Sequence, residues 1–287
     1  MLSFLVRRRE RGSVLIQSKI ASAVGLKTHP VAITWADRCP ETALRFKPGT
    51  WGCVVSLVAS VAAKGKVAAF DRCTYGCWGG GVGLGFGNQY QTFPGGIEGF
   101  CRFLADGNEK DPTGKRIGEQ MAAGAGARFS DDFLLGERYV KDAETTDRFL
   151  QSMPMRDLAE KFVVVKPLEQ VDADNEEVKS VTFFVEPDAL SALVVLANYT
   201  HPEIENVGMP WAAGCQVMGI YAYRELEREH PRGLVGMTDI SARKNTRATF
   251  GNNVMSFTAP WPLFLDMESH VDGSFLQRET WHAIHKE

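Results

Sequence analysis

No stretch of this chain approaches the roughly 20 consecutive apolar residues that span a bilayer, so no transmembrane anchor is expected. Positive charge is not in excess either. The 32 Lys and Arg stand against 35 Asp and Glu, a formal charge of −3, which argues against the basic face of a general nucleic-acid binder. The one basic run, Arg7-Arg8-Arg9-Glu10-Arg11, reads as a solvated arm or a first helical turn. Its paired arginines are not followed by the sustained apolar stretch of an export signal. The six histidines are scattered, with no His-x-x-x-His or His-Glu-x-x-His, so a histidine-rich metal site is not expected. No histidine lies beside a cysteine in the sequence, which leaves a cysteine hydrolase without a base. The chain reads as cytoplasmic, with no membrane and no nucleic acid among its partners.

Against these absences stand six cysteines, Cys39, Cys53, Cys73, Cys77, Cys101 and Cys215. In a reducing compartment they do not form a disulfide framework. Two segments begin with Gly-Cys at an expected helix start, Gly52-Cys53-Val54 and Gly214-Cys215-Gln216, and Gly76-Cys77 lies between them. A thiol at a helix N-terminus faces orphan N–H groups and the positive end of the helix dipole, so its thiolate is expected to be favoured. Thiolates bind soft metals, and several of them point to an iron–sulfur or zinc site. Cys73 and Cys77 form a Cys-x-x-x-Cys pair that lacks the third cysteine of a radical-SAM signature and the closer spacing of zinc ribbons. Glycines beside the cysteines would let backbone N–H groups approach a cluster, and Trp51, Trp78 and Trp211 could keep water from it.

The expected elements alternate. Residues 10–24 read as an amphipathic helix and 30–35 as a strand. A buried helix follows from Cys53 to Ala63, then a short strand at 67–71. Gly76–Gly87 holds seven glycines in twelve residues, which predicts a flexible loop. A helix resumes near 96–104, whereas 106–145 reads as polar surface loop with one helical piece. Strands are expected at 162–168, 178–186, 234–239 and 254–258. Helices are expected at 188–199, 215–229, 261–270 and 274–285, with a polar loop at 239–244 whose Arg243 and Lys244 could hold an anion. The fold class is mixed α/β (α+β), one globular unit. Gly-Cys, helix, Gly, strand and Asp recur at 52–71 and 214–239, which suggests two pseudo-repeated halves, 1–150 and 151–287. As a second reading, Gly79, Gly80 and Gly81 would cradle an anionic ligand such as a nucleotide or flavin through backbone N–H groups, without a metal.

Several longer segments carry a resemblance to a known family. They are Trp51-Gly52-Cys53, Gly76-Cys77-Trp78-Gly79-Gly80-Gly81-Val82-Gly83-Leu84-Gly85-Phe86-Gly87-Asn88, Phe93-Pro94-Gly95-Gly96-Ile97-Glu98, Ala213-Gly214-Cys215-Gln216 and Gly236-Met237-Thr238-Asp239-Ile240-Ser241-Ala242-Arg243-Lys244. With them the chain resembles domain-of-unknown-function family 169 over nearly its whole length. That resemblance implies a cytoplasmic protein of archaea and anaerobic bacteria, some members carrying iron–sulfur clusters. It implies Cys53, Cys77 and Cys215 as ligands, with Cys101 as the fourth; Cys73, which could take the place of Cys101, fits the family pattern less well, and Cys39 least. The expectation is one 4Fe–4S cluster serving electron transfer or redox chemistry with an unknown redox partner or small-molecule substrate. Asp71, Asp239 and Glu268 are candidate acids or bases by position alone. Trp261, Phe264, Phe275 and Trp281 could serve a homo-oligomer interface.

Overall fold

The computed structural model describes residues 6–10, 13–125 and 127–285. Arg11 and Gly12, at the end of the basic run, lie outside them. The chain divides into two compact units, one formed by Met1–Phe86 with Asp157–Glu287 and the other by Gly87–Arg156.

The first unit is a mixed α/β structure built on a seven-stranded sheet. Its strands are β3 (Val31–Ala36), β4 (Ala68–Phe70), β5 (Phe162–Pro167), β6 (Val178–Val185), β7 (Val207–Gly208), β8 (Gly233–Gly236) and β9 (Met255–Pro260), in the order β4-β5-β3-β6-β9-β8-β7. All neighbours are antiparallel except β7 and β8. Strands β1 (Val6–Glu10) and β2 (Ser13–Gln17) form a separate antiparallel hairpin. The helix expected over 10–24 therefore shrinks to α1 (Lys19–Ala23), whose start is set by the Ser18 side chain accepting the Ala21 N–H. The β-branched and apolar run Val14-Leu15-Ile16 goes to the hairpin instead.

Alternation along β6 and β9 gives each face of the sheet its own character. Val181, Phe183 and Val185 with Phe257 and Ala259 pack on α1, α8 (Pro187–Ala197) and α12 (Trp261–His270) in the main apolar core. Phe264 is fully buried in this core and Trp281 nearly so, which accounts for two of the aromatics read as an interface. The opposite face carries Ser180, Thr182 and Thr258. The two threonine hydroxyls hydrogen-bond across the strands at 2.9 Å, and Ser180 Oγ donates to the Met218 carbonyl at 3.1 Å. That face receives α2 (Val54–Lys64) and the helical stretch after Ala213. This stretch runs as α9 (Gly214–Gln216), a π turn (Val217–Tyr221) and α10 (Ala222–Glu225).

Two expected loops are helices. The glycine run forms α3 (Trp78–Leu84), and 240–250 form α11 (Ile240–Phe250), with Asp239 as the capping residue. Gly219 shows why α3 is glycine-rich. A Cβ there would stand 2.0 Å from the Gly83 carbonyl oxygen, so the two backbones touch with no side chain between them.

The second unit holds α4 (Gly96–Leu104), α5 (Pro112–Ala125), α6 (Ala127–Leu135) and α7 (Ala143–Ser152). The polar stretch read as loop is thus largely helical. Its helices close over Tyr90, Phe93, Phe100, Phe103 and Phe133, and buried Asn108 donates to the Gly99 and Phe133 carbonyls.

Replacing Gly219 by Ala should destabilise the protein by about 3 kcal/mol, because the added carbon would overpack the contact with the Gly83 carbonyl. Gly208→Ala, whose added carbon meets nothing nearer than 3.7 Å, is the control and should be nearly neutral. Urea unfolding reads both; equal midpoints for the two variants would contradict the packing described. A second expectation concerns fully buried Glu225, which is bridged by Arg224, Arg228 and Arg232. Burial pushes its carboxyl up, but the hydrogen bonds from Arg232 and Arg224 outweigh that and leave it below the ordinary 4.5. A depressed carboxylate stabilises the fold above its unfolded pKa and stops doing so as pH falls through the folded one. The stability difference between the natural chain and Glu225→Gln should be constant near neutrality and vanish well below pH 4.5, as followed by denaturation across that range.

Candidate functional site

Three cysteines of the first unit sit at helix starts on the same side of the sheet. Cys53 is the capping residue of α2, Cys77 that of α3, and Cys215 is the second residue of α9. Each follows a glycine whose missing side chain is filled by a neighbour. A Cβ on Gly52 would lie 2.2 Å from the Phe46 ring, and one on Gly76 would lie 2.5 Å from the Gly52 carbonyl oxygen. Gly76 is also at φ +79°, where a side chain is strained. These two glycines let the Cys53 and Cys77 segments meet backbone to backbone. A Cβ on Gly83 of α3 would lie 2.9 Å from Gln216 N and 3.0 Å from the Cys215 carbonyl carbon, which brings the third segment against α3.

Direct bonds complete the arrangement. Cys77 Sγ accepts the Gly80 N–H at 3.3 Å, and the Cys215 thiol donates to the Gly79 carbonyl at 3.6 Å. Gln216 Oε1 accepts the Ala213 N–H and closes the start of α9. Asp239 joins two helix starts: one oxygen accepts the Gly214 N–H at 2.7 Å, the other the Ala242 N–H at 2.5 Å. The carboxylate is therefore a brace for the segment that carries Cys215.

At Cys77 and Cys215 the electrostatics run against the expectation of ready thiolates. The Cys77 thiol is pushed up to about 12, first by burial and then by Cys53, with Asp239 adding to it; the Gly80 N–H only partly offsets this. Burial, then Cys77 and Cys53, then Asp239 raise Cys215 as well. Asp239 itself is raised by burial despite its two N–H partners. Like-charge repulsion among Cys53, Cys77, Cys215 and Asp239 makes them one electrostatic group. Desolvation and like charge outweigh the helix dipole, whose contribution is about 1 kcal/mol at most exposed termini.

Cys101 is not in that group. It is buried on α4 of the second unit, its thiol raised to about 11 by burial and then by Asp147, with Arg102 opposing. Cys73 is exposed, its N–H donating to Asp71, and Cys39 is half-buried in the loop before α2. Gly79, Gly80 and Gly81 lie in the first turn of α3 rather than in a loop. A Cβ on Gly80 would meet Val54 at 2.5 Å and the Tyr75 carbonyl at 2.7 Å, so close packing accounts for that residue without a ligand. Arg243 hydrogen-bonds the Asn252 and Val254 carbonyls and anchors the chain before β9. Glu268 is buried on α12 and accepts the Lys19 and Ile20 N–H groups at the start of α1; Asp71 pairs with Arg45. Both are structural. Trp51 and Trp211 do not seal the thiols: they are 61% and 42% exposed, and with Met209 and Ile240 they leave apolar surface beside the helix starts.

Among the described residues no three His, Cys, Asp or Glu side chains are placed to hold a single metal ion, and no helix is long and apolar enough to cross a membrane. A family model matches residues 19–270, and the chain belongs to that family, DUF169, described as uncharacterised ArCR. No curated protein and no solved structure matches.

The electrostatic ordering predicts alkylation rates in the metal-free protein. At pH 7.5 iodoacetamide should modify exposed Cys73 first, and Cys77 and Cys215 far more slowly, because attack requires the thiolate. Peptide mass spectrometry over time reads the order. Rapid labelling of Cys77 and Cys215 in the folded chain would show that their thiolates are not disfavoured.

Proposed function

We propose that this member of the DUF169 family holds an iron–sulfur cluster on Cys53, Cys77 and Cys215, most simply of the 4Fe–4S type, and serves electron transfer or redox chemistry on a small molecule. The observation that carries the reading is the convergence of three glycine-preceded thiols from three helix starts within one unit. Together with Asp239 they would bring four negative charges into a poorly solvated site. Such a donor set is unfavourable alone and favourable around a thiophilic cation.

When bound, the cluster supplies one-electron transfer and, with three protein thiolates, an iron open to substrate. The chain's own groups would hold and tune it. The Gly80 N–H already points at Cys77 Sγ and favours its thiolate. Asp239 fixes the backbone of the segment that presents Cys215. The apolar surface exposed at Trp51, Met209, Trp211 and Ile240, close in sequence to the helix starts, would offer a redox partner a place to dock. A cytoplasmic, reducing location agrees with this chemistry.

Anaerobic purification with iron and acid-labile sulfide assays tests the proposal, with visible spectra before and after dithionite. About four iron and four sulfide per chain are expected for a 4Fe–4S cluster, with broad absorbance that bleaches on reduction. Cys215→Ala should lose the cluster, whereas Cys101→Ala should keep it. A colourless protein, free of iron and sulfide after reconstitution, would falsify the cluster reading.

A further inference from the structure

A cavity of about 680 Å³ opens in the first unit, within the roughly 300–1,000 Å³ usual for small-molecule sites. Its walls come from α1, the turn before β3, the helical turn that follows β5 and the segment after α12, and no cysteine lines it. Pro30, Leu168 and Val271, all buried, form its apolar part.

Two close pairs supply its charge. Lys19 Nζ meets the Asp272 carboxylate, and His29 Nδ1 meets that of Glu169. The polar groups at the start of α1 are already engaged. Ser18 Oγ donates to Glu268 and accepts the Ala21 N–H, while the Lys19 and Ile20 N–H groups donate to Glu268. The backbone there has no donor to spare for a ligand, so Lys19 Nζ is the group that can receive an anion. The Asp272 side chain is 69% exposed and that of Lys19 28%. A pair this open to water contributes little and separates readily.

We infer that the cavity binds a small zwitterion of the α-amino-acid class, its carboxylate on Lys19 and its ammonium on Asp272. A simple anion would draw Lys19 away and leave the Asp272 carboxylate unpaired beside it. A simple cation would strand Lys19 in the same way. A ligand carrying both signs turns one ion pair into two and strands neither group. The second pair is a fixed wall. His29 Nε2 stands 3.3 Å from where a Cβ on Gly65 would lie, so the ring is held on both edges, by Glu169 and by the end of α2. The apolar part of the cavity leaves room for the ligand's side chain.

The test titrates the twenty protein amino acids, added singly, into the full 15N-labelled chain, with acetate and ethylammonium as probes of one charge each. At least one amino acid should shift the amide resonances of Lys19, His29, Glu169 and Asp272 on saturable binding. Acetate and ethylammonium should bind at least tenfold more weakly. Lys19→Met should weaken the amino acid at least tenfold, whereas Lys27→Met, which removes an exposed lysine outside the cavity, should leave its affinity unchanged. No saturable shift with any amino acid overturns the inference. Acetate or ethylammonium binding as tightly overturns the zwitterion, and full affinity in Lys19→Met overturns the placement. The titrations of the natural chain decide the matter even if a variant folds poorly, and they do not depend on the cluster reading.

Discussion

Everything at the candidate site depends on backbones touching without side chains between them. Gly76 lies on the Gly52 carbonyl, Gly83 on the Gln216 and Cys215 backbone, and Gly219 on the Gly83 carbonyl. Each contact is closer than any Cβ allows. Through the last two, segments separated by more than a hundred residues meet, and each brings a cysteine or the helix that holds one. The glycine run of α3 is costly for an isolated helix, at about 1 kcal/mol per glycine relative to alanine. Tertiary packing on both sides must supply what propensity withholds, and it does so where Gly80 meets Val54 and Gly83 meets α9.

The π turn after α9 belongs to the same constraint. Gly219, at φ −103° and ψ −105°, is where the helical stretch widens to receive α3. The Met218 carbonyl beside it accepts from Ser180 Oγ of β6. The sheet therefore fixes the π turn and the π turn receives α3. Cys77 caps α3, and the Gly79 carbonyl in its first turn accepts from Cys215. A polar alternation on one face of a central strand is in this way connected to the placement of two thiols. At Gly219 the backbone leaves helical geometry, so the stretch kinks where α3 packs against it.

Much of this organisation was legible in the sequence, and the failures have identifiable causes. The strands at 31–36, 68–70, 162–167, 178–185 and 255–260 were readable because apolar and β-branched residues dominate them. The helix starts at Cys53 and Cys215 were readable from the repeated Gly-Cys step. The helical state of 78–84 was not, because glycine content signals a loop unless the packing partner is known. Asp239 was read as the edge of a loop, although Asp before a helix-compatible run is an N-cap signal. The helices of 112–152 were missed because their charged faces hid a narrow apolar side that closes on Phe93, Phe103 and Phe133.

The sign of the thiol shifts bears on what such a site is for. A helix N-terminus alone would lower a thiol pKa and produce a reactive nucleophile, as one dipole is worth up to about 1 kcal/mol at an ordinary terminus. At Cys77 the balance lies the other way: a thiol at about 12 against an ordinary 9.0 corresponds to roughly 4 kcal/mol against the thiolate. Burial contributes first, and the other members of the group follow. A site built for a single nucleophile would gain nothing from surrounding it with two more cysteines and a carboxylate, since each makes the attacking form harder to reach. The same crowding is an advantage when the anions share a cation, because the repulsion that disfavours the empty thiolates becomes attraction to what lies between them. The crowding of Cys77, Cys215 and Asp239 is thus poorly suited to nucleophilic attack.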